Sequence, residues 1–247
     1  MNVVAIIPAR YHSTRLPGKP LADIGGKPMI QHVYETVRES ESVTDVIVAT
    51  DDQRICDAVQ KFGGTARMTS RDHATGTDRI AEAANGIDAS IIINVQGDEP
   101  FITAQMVSVA LQPLLDDPKL PMSTLMHEIA EEGFDDPNVV KVVADIRGNA
   151  LYFSRSLIPF PRNRTGFRVF EHIGVYCYRR DFLTQFIAME QTPLEKVESL
   201  EQLRALENGY RIAVVEATDT QYIPISIDTA EDLERARQLY VARQKGK

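Results

Sequence analysis

The feature that most constrains the fold is an alternation, through the first half of the chain, of short apolar runs with amphipathic segments. The runs at 3–8, 45–51 and 90–98 are rich in β-branched residues and suit strands buried on both faces of a sheet. Segments 28–40 and 103–117 repeat apolar residues near helical spacing. This alternation predicts an α/β fold, in which a mainly parallel sheet has helices on both faces and binds ligands at the carboxyl ends of its strands.

The second half of the chain has shorter connections between its apolar runs. This pattern predicts that residues of about 121–180 form a smaller mixed α/β lobe within a single domain spanning 1–247. Helices are predicted over 193–209 and 228–244. The basic segment 162–170 has little periodicity, which is typical of a flexible or partner-contacting segment.

Composition excludes several classes of partner. The 247 residues are 43% hydrophobic and 25% charged, with a net charge of −8, which argues against nucleic acid or an anionic membrane surface. Cys56 and Cys177 have no metal-type spacing and are expected to be ordinary reduced thiols. The amino terminus lacks the pattern of a signal peptide and no apolar run reaches membrane-spanning length, so we expect a cytoplasmic protein.

The stretch IIPARYHSTRLPGKPL, residues 6–21, concentrates positive charge immediately after the first predicted strand. Arg10, Arg15 and Lys19 could neutralise a polyphosphate, the guanidinium groups through bidentate hydrogen bonds and the lysine as a compact charge. The stretch is not a Walker A motif, because Pro20 follows the lysine, and this excludes a P-loop kinase. The alternative is a solvated basic loop with surface ion pairs.

A second loop, NVQGDEP at 94–100, delivers Asp98 to the end of the most apolar strand. A carboxylate facing a polyphosphate there could bind Mg²⁺, which prefers oxygen ligands, and Gly97 would allow close backbone approach to a ligand. Asp228 similarly ends an apolar run. Helix capping is the alternative for both aspartates, and for Asp228 capping alone is a sufficient explanation. The cap of the helix predicted over 228–244 would be Asp228 or Thr229.

A third loop, RDHATGTDR at 71–79, could contact a base or ribose through its backbone and the Thr75 hydroxyl, with Gly76 beside it. The alternative is an ordinary turn in which Thr75 or Thr77 caps the next helix. Arg79 of that helix is predicted to face solvent.

Polar residues of the second half could bind an acidic sugar. Arg155 follows a predicted strand, and His172 and Tyr176 share one face of another. A structural role remains the alternative for the histidine and the tyrosine. Three polar residues at helical spacing, for which a solvated helix face is the default, are Glu198, Glu201 and Gln202.

Eight blocks spanning residues 3 to about 237 together resemble the 3-deoxy-manno-octulosonate cytidylyltransferase family. They are IIPARYHSTRLPGKPL, VATDD, HATGTDR, NVQGDEP, ALYFSR, HIGVYCYR, LEQLRALENG and IDTAEDLERAR. The resemblance implies a nucleotide-diphospho-sugar-transferase-like, Rossmann-like fold with a smaller dimerisation lobe. It also implies transfer of CMP from CTP to the C2 hydroxyl of 3-deoxy-D-manno-octulosonate (Kdo), with release of pyrophosphate, for lipopolysaccharide biosynthesis by a Mg²⁺-dependent homodimer.

The resemblance assigns roles to individual positions. Those matching the nucleotide site are Arg10, Ser13, Arg15, Lys19, Thr75, Gly76 and Asp98. Those matching the sugar side are Gln96, Arg155, His172, Tyr176, Glu201 and Gln202. The two metal carboxylates would be Asp98 and Asp228, and catalysis would rest on them with Arg10 and Lys19. Ala74 and residues 160–170 depart from some relatives, which bears on the preferred sugar.

Three readings of the function remain open from the sequence. The acceptor could be Kdo, 8-amino-Kdo or sialic acid, because these sugars would share the CTP loops and differ only in the sugar pocket. A sugar-nucleotide-binding protein without catalysis is a further alternative, although it would have no need of two metal carboxylates. No Ser–His–Asp or Cys–His set is visible, so we expect metal activation of the attacking hydroxyl.

Overall fold

The computed structural model describes residues 1–245, apart from the side chain of Lys245. Its strands are β1 (Val3–Ala9), β2 (Asp23–Ile24), β3 (Lys27–Pro28), β4 (Asp45–Thr50), β5 (Thr65–Met68), β6 (Ile91–Val95), β7 (Met122–Glu128), β8 (Lys141–Ala144), β9 (Ala150–Ser154), β10 (Phe170–Arg179) and β11 (Ile212–Glu216). Its helices are α1 (Met29–Arg38), α2 (Gln53–Lys61), α3 (Gly76–Ala83), α4 (Ala104–Asp116), α5 (Arg180–Ile187), α6 (Pro193–Glu198), α7 (Leu203–Glu207) and α8 (Ala230–Lys245). The predicted order of strands and helices in the first half is confirmed.

The chain forms two compact units. The first contains residues 1–108 and the chain from 219 onward, and the second contains residues 109–218. The expected smaller lobe at about 121–180 falls within the second range. Its status as part of a single domain stays a prediction.

The first unit is built on a parallel sheet with the strand order β6-β1-β4-β5. All five residues of β6 are buried, as expected for a strand covered on both faces. Ala9 of β1 is level with Thr50 of β4, which is level with Met68 of β5. Because parallel strands end at the same edge, the loops after β1, β4, β5 and β6 begin side by side.

A hydrophobic cluster fixes the segment before α8 to the rest of the first unit. Ile225 and Ile227 are buried against Ile24, Met29 and Phe101. The cluster therefore joins the carboxyl-terminal part of the chain to the start of α1 and to the loop after β6.

The second unit contains a mixed sheet. β10 pairs antiparallel with β7 and β8, β8 pairs antiparallel with β9, and β11 runs parallel to β7. A short antiparallel ribbon, β2–β3, belongs to the first unit. The predicted combination of a mainly parallel sheet with a smaller mixed part is confirmed.

One helix prediction needs correction. The helix predicted over 193–209 is wrong as a single element, because Ser199 adopts a left-handed conformation with φ 53° and separates α6 from α7. The helix predicted over 103–117 is confirmed as α4, Ala104–Asp116, with Pro113 inside it. Within residues 1–245, no helix has both the length and the apolar character required to cross a membrane.

Candidate active site

The loop after β1 lines a cavity of about 440 Å³ in the first unit. Seven residues predicted from the sequence border this cavity: Arg10, Ser13, Arg15, Lys19, Gly76, Gln96 and Asp98. They come from the loops after β1, β5 and β6, which begin at the same sheet edge. The structure therefore brings together most of the predicted nucleotide site.

The shape of the loop after β1 (residues 10–22, the phosphate loop) depends on a tight turn at Gly18. Its φ of 71° is left-handed, and its amide donates to the Tyr11 carbonyl at 2.8 Å. A Cβ at this position would lie 3.2 Å from the Tyr11 ring, so glycine suits both the conformation and the space. The guanidinium of Arg54 covers the Tyr11 ring at 3.3 Å.

A charged pair holds that guanidinium in place. Arg54 donates from Nε and Nη2 to Asp52 at 2.8 and 2.7 Å. These hydrogen bonds lower the pKa of Asp52 to about 2. Asp52 also caps α2, so the Arg54–Tyr11 contact packs the loop after β1 against the start of α2.

Arg10 is anchored on the neighbouring loop. Its Nη2 donates to the His73 carbonyl at 2.8 Å. Glu82 holds that loop, since its carboxylate accepts from the Ser70 amide at 2.9 Å and contacts the His73 ring. The remaining guanidinium donors of Arg10 border the cavity, where a phosphate could accept from them.

Ser13 contributes a hydroxyl with spare capacity. Its Oγ accepts from the Leu16 amide at 3.3 Å, which uses a lone pair and leaves the hydroxyl hydrogen able to donate to an anion.

Asp98 and Asp228 meet although 130 positions separate them. The Ile227 amide donates to the Asp98 carbonyl at 3.0 Å, which joins the segment before α8 to the loop after β6. Lys19 then bridges the two side chains, with its Nζ 2.7 Å from Asp98 Oδ2 and 3.1 Å from Asp228 Oδ1. Arg15 adds a contact of 3.1 Å from Nη2 to Asp228 Oδ2.

The electrostatics of this cluster keep Lys19 charged. Burial lowers the pKa of its ammonium, but the carboxylates of Asp98 and Asp228 raise it by more, and the net shift is upward from 10.5. The Lys19 side chain is only 15% exposed, whereas that of Arg15 is 61% exposed. The cluster thus contains two carboxylates and two cations, of which Lys19 is mostly buried and Arg15 is at the surface.

Neither aspartate is needed as a helix cap. Thr229 caps α8, since its Oγ1 accepts from the Asp232 amide at 3.2 Å and donates to the Asp232 carboxylate at 2.8 Å. The expectation that Asp228 caps this helix is therefore wrong. Asp98 does not cap α4 either, because Thr103 Oγ1 accepts an amide hydrogen in its first turn. Both carboxylates are free of the structural role that sequence favoured.

Gly97 serves the protein's own backbone. A Cβ at this position would lie 3.0 Å from the Pro8 carbonyl oxygen and 3.4 Å from the Ile30 side chain. Glycine is therefore required here because the backbone passes close to the end of β1. The predicted approach of a ligand is not needed to explain it.

Thr75 and Gly76 lie at the start of α3. The Thr75 hydroxyl accepts from the Asp78 amide at 3.1 Å and the Asp78 carboxylate accepts from the Thr75 amide at 3.2 Å, forming a capping box. The predicted capping role of Thr75 is confirmed. Its predicted contact with the nucleotide stays a prediction, and Gly76 borders the cavity.

Arg79 was predicted to face solvent, and this is wrong. Its side chain is fully buried, with Nη1 2.6 Å from Thr69 Oγ1 and Nη2 3.3 Å from Asp51 Oδ2. Burial lowers the pKa of Arg79, although Asp51 counteracts it. The VATDD and HATGTDR blocks contain this pair, but helical periodicity alone could not show that it is internal.

In the second unit, Arg155 is held by backbone carbonyls. Its Nε donates to the Glu198 carbonyl at 2.8 Å and its Nη1 to the Pro137 carbonyl at 2.9 Å. Glu198 was expected on a solvated face, and this is wrong. Its carboxylate accepts from Ser154 Oγ at 2.7 Å and from the Arg155 amide at 3.0 Å.

His172 and Tyr176 lie together as predicted, with ring centroids 5.2 Å apart. Thr124 Oγ1 lies 2.7 Å from the Val175 carbonyl and 2.9 Å from His172 Nε2. When the hydroxyl donates to the nearer carbonyl, Nε2 of a neutral imidazole donates to the hydroxyl oxygen, and the Nδ1 lone pair is left as an acceptor. Burial lowers the pKa of His172 to about 3.

Glu201 and Gln202, the last two predicted sugar-side residues, immediately precede α7. Gln202 is buried, and Glu201 Oε1 lies 3.8 Å from Arg204 Nη2. Their contact with a sugar stays a prediction.

Other sequence expectations concern cysteines, metals and the basic segment. Cys56 and Cys177 are buried and free, as predicted. Arg168 in segment 162–170 contacts Glu128 and Glu216 within the second unit. No cluster of three or more His, Cys, Asp or Glu side chains suited to a metal occurs in the part of the chain that the structure describes. A cation at Asp98 and Asp228 would therefore need further ligands other than side chains of these four types.

Comparison with known proteins identifies the family. The cytidylyltransferase family matches residues 4–212. The chain is 54% identical to the 3-deoxy-manno-octulosonate cytidylyltransferase of Pelobacter propionicus over 256 aligned positions, covering 99% of each chain. It is 54% identical to the protein of the same name from Geobacter sulfurreducens, covering 95% of this chain and 98% of the relative.

Solved structures agree with this relationship. A CMP:2-keto-3-deoxy-manno-octonic acid synthetase complexed with CTP superposes with a TM-score of 0.94 at 48% identity, covering 98% of this chain and 100% of that one. A 4-diphosphocytidyl-2C-methyl-D-erythritol synthase from Anaerococcus prevotii, at 17% identity and a TM-score of 0.63 over 96% and 95% of the two chains, shares the fold. The chain therefore belongs to the 3-deoxy-manno-octulosonate cytidylyltransferase family.

Proposed function

We propose that this protein transfers CMP from CTP to the C2 hydroxyl of Kdo, giving CMP-Kdo and pyrophosphate for lipopolysaccharide biosynthesis. The observation that carries the proposal is the meeting of Lys19 with Asp98 and Asp228 beside the cavity of the phosphate loop. The near full-length relatives that bear the name of this activity support it.

The reaction is an attack of the sugar hydroxyl oxygen on the α-phosphorus of CTP. A bond forms between that oxygen and the phosphorus, the bond to the bridging oxygen of the β-phosphate breaks, and the hydroxyl proton is released. Pyrophosphate leaves with the bridging electron pair. Such a transfer depends on positioning and charge compensation more than on covalent catalysis by the protein.

The phosphate loop has the groups for this task. Arg10 would hold a phosphate from its anchored position, and the Ser13 hydroxyl would donate to an oxygen. Arg15 and Lys19 would compensate the charge that develops on pyrophosphate as it leaves. Thr75 and Gly76 would lie near the nucleoside.

We further propose Mg²⁺ as the cofactor, held by Asp98 and Asp228. Two carboxylates that converge on one cation fit a metal that takes oxygen ligands and shares them with phosphates. When bound, Mg²⁺ would neutralise phosphate charge and lower the pKa of the attacking hydroxyl. No dedicated protein base is then required.

The acceptor would contact residues of the second unit, and the sugar contact of Gln96 stays a prediction. The guanidinium of Arg155 would pair with the sugar carboxylate, and the Nδ1 atom of His172 would accept from a sugar hydroxyl beside Tyr176. Glu201 and Gln202 complete the proposed set.

Two further properties are proposed. A homodimer would cover apolar side chains of the second unit, of which Leu151, Phe160 and Val197 are 62%, 82% and 82% exposed. Measurement of the mass in solution tests this. A cytoplasmic location follows from the proposed use of CTP, a cytoplasmic nucleotide.

The test of the substrate is pyrophosphate release from CTP and Mg²⁺ with a panel of Kdo, 8-amino-Kdo and sialic acid. Release that is fastest with Kdo is the expected result. A preference for another sugar would refute the acceptor and leave the reaction intact. Absence of release with every sugar, in protein that still binds CTP, would favour the non-catalytic alternative.

A further inference from the structure

Lys19 occupies the position between the two carboxylates that the proposed metal requires. Its ammonium lies 2.7 Å from Asp98 and 3.1 Å from Asp228, and it uses one oxygen of each. A divalent cation bound by the same oxygens would lie where this ammonium lies. The ammonium and the metal therefore compete for one place.

The charges of the cluster also indicate that the ammonium and the metal compete. Lys19 and Arg15 balance the two aspartates, so the cluster is neutral without a metal. A divalent cation that entered with both cations in place would meet two like charges at short range. If the cations moved onto a triphosphate, the carboxylates would be left with an uncompensated double negative charge.

The side chains of Lys19 and Arg15 can both move away from the carboxylates. Lys19 has a flexible four-carbon side chain on a loop that borders the phosphate cavity, and Arg15 is 61% exposed. The backbone joint between Asp98 and Ile227 does not depend on either cation, so it persists when they leave.

We propose that Lys19 is a positioning residue that holds Asp98 and Asp228 together in the metal-free protein and yields their oxygens to the divalent cation when a triphosphate takes its ammonium. This inference rests on the metal role given to the aspartates above. It assigns Lys19 a second task besides charge compensation, and it makes metal binding weak until the nucleotide is present.

The experiment is a titration of nucleotide-free, full-length protein with Mn²⁺, followed by the electron paramagnetic resonance signal of the free ion. Lys19→Met removes the competing charge and should tighten Mn²⁺ binding about tenfold, within the range typical of coupled sites. Lys19→Arg keeps the charge and should bind as weakly as the wild type. Lys27→Met is the control, because it removes a lysine charge from an exposed ion pair with Glu35 away from the cluster.

The double variant Lys19→Met/Asp98→Asn separates the inference from the proposal on which it rests. Loss of the tighter binding in the double variant supports both. Equal or weaker binding by Lys19→Met, together with a further loss on Asp98→Asn, would overturn the role of Lys19 and keep the metal site. No effect of Asp98→Asn in either background would overturn both. Lys19→Gln gives the same comparison if the methionine variant does not fold, as judged by circular dichroism.

Discussion

Asp98→Asn is the substitution that most sharply separates function from stability in this protein. Asparagine keeps the size of the side chain and removes its charge, while the Asp98 carbonyl still accepts from Ile227. We expect turnover to fall by at least about a hundredfold, as when one preorganised electrostatic group is removed from an active site. The fold should remain.

The stability cost can be worked from the ion pair that is lost. Breaking a buried pair costs about 3–5 kcal/mol, and an exposed pair contributes about 0–1 kcal/mol. Asp98 and Lys19 lie between these limits, with side chains 26% and 15% exposed, and Asp228 stays on the ammonium after the substitution. We therefore expect a loss of about 1–2 kcal/mol, which lowers Tm by roughly 2–8 °C for a chain of this size.

The assay compares pyrophosphate release and thermal unfolding in the same preparations. Glu35→Gln is the control, since it removes an exposed ion pair with Lys27 and should leave turnover unchanged. Near-normal turnover by Asp98→Asn would refute the assignment of this carboxylate. Unfolding of the variant at room temperature would refute the estimate of stability.

Three further outcomes are expected. Glu82→Gln should weaken the loop on which Arg10 is anchored. We expect KM for CTP to rise about fivefold, which corresponds to the loss of one hydrogen bond, with a smaller change in kcat. A KM equal to that of the wild type would contradict this. Arg204→Ala should leave the buried Glu195 without its partner and cost about 3–5 kcal/mol in urea unfolding, whereas a loss below 1 kcal/mol would show that water reaches the carboxylate. Because the pKa of His172 falls from 6.5 to about 3 on folding, the unfolded chain binds the additional proton below pH 6.5. Burial raises the pKa of Glu171 to about 7, which acts in the opposite direction in wild type and variant alike. Between pH 7.5 and 5, wild type should therefore lose about 2 kcal/mol of stability relative to His172→Gln, and equal pH dependence of the two proteins would contradict this.

Elements with one dominant local signal could be predicted from the sequence. The β-branched runs fit only a buried strand, and the loops after parallel strands necessarily share one sheet edge. The cluster of Arg10, Lys19 and Asp98 was therefore predictable, since Arg10 and Asp98 closely follow β1 and β6 and Lys19 lies in the loop after β1.

Features with two competing local explanations, or with a conformation set by tertiary contacts, could not be predicted. Asp228 and Thr229 are equally good caps by sequence, and only the hydrogen bonds show that the threonine serves and the aspartate is free. Helical spacing predicted that Glu198 would face solvent, but the left-handed Ser199 ends the helix and turns its last residue onto Arg155. Contacts with a distant strand end leave no periodic signal.

The most direct test of the central claim is to follow isotopic label from CTP during a single turnover with Kdo and Mg²⁺. Attack at the α-phosphorus predicts that label in the α-phosphate appears in the sugar nucleotide and label in the γ-phosphate appears only in pyrophosphate. Transfer of the γ-label to the sugar, or its release as inorganic phosphate while the α-label stays in CDP, would contradict the account.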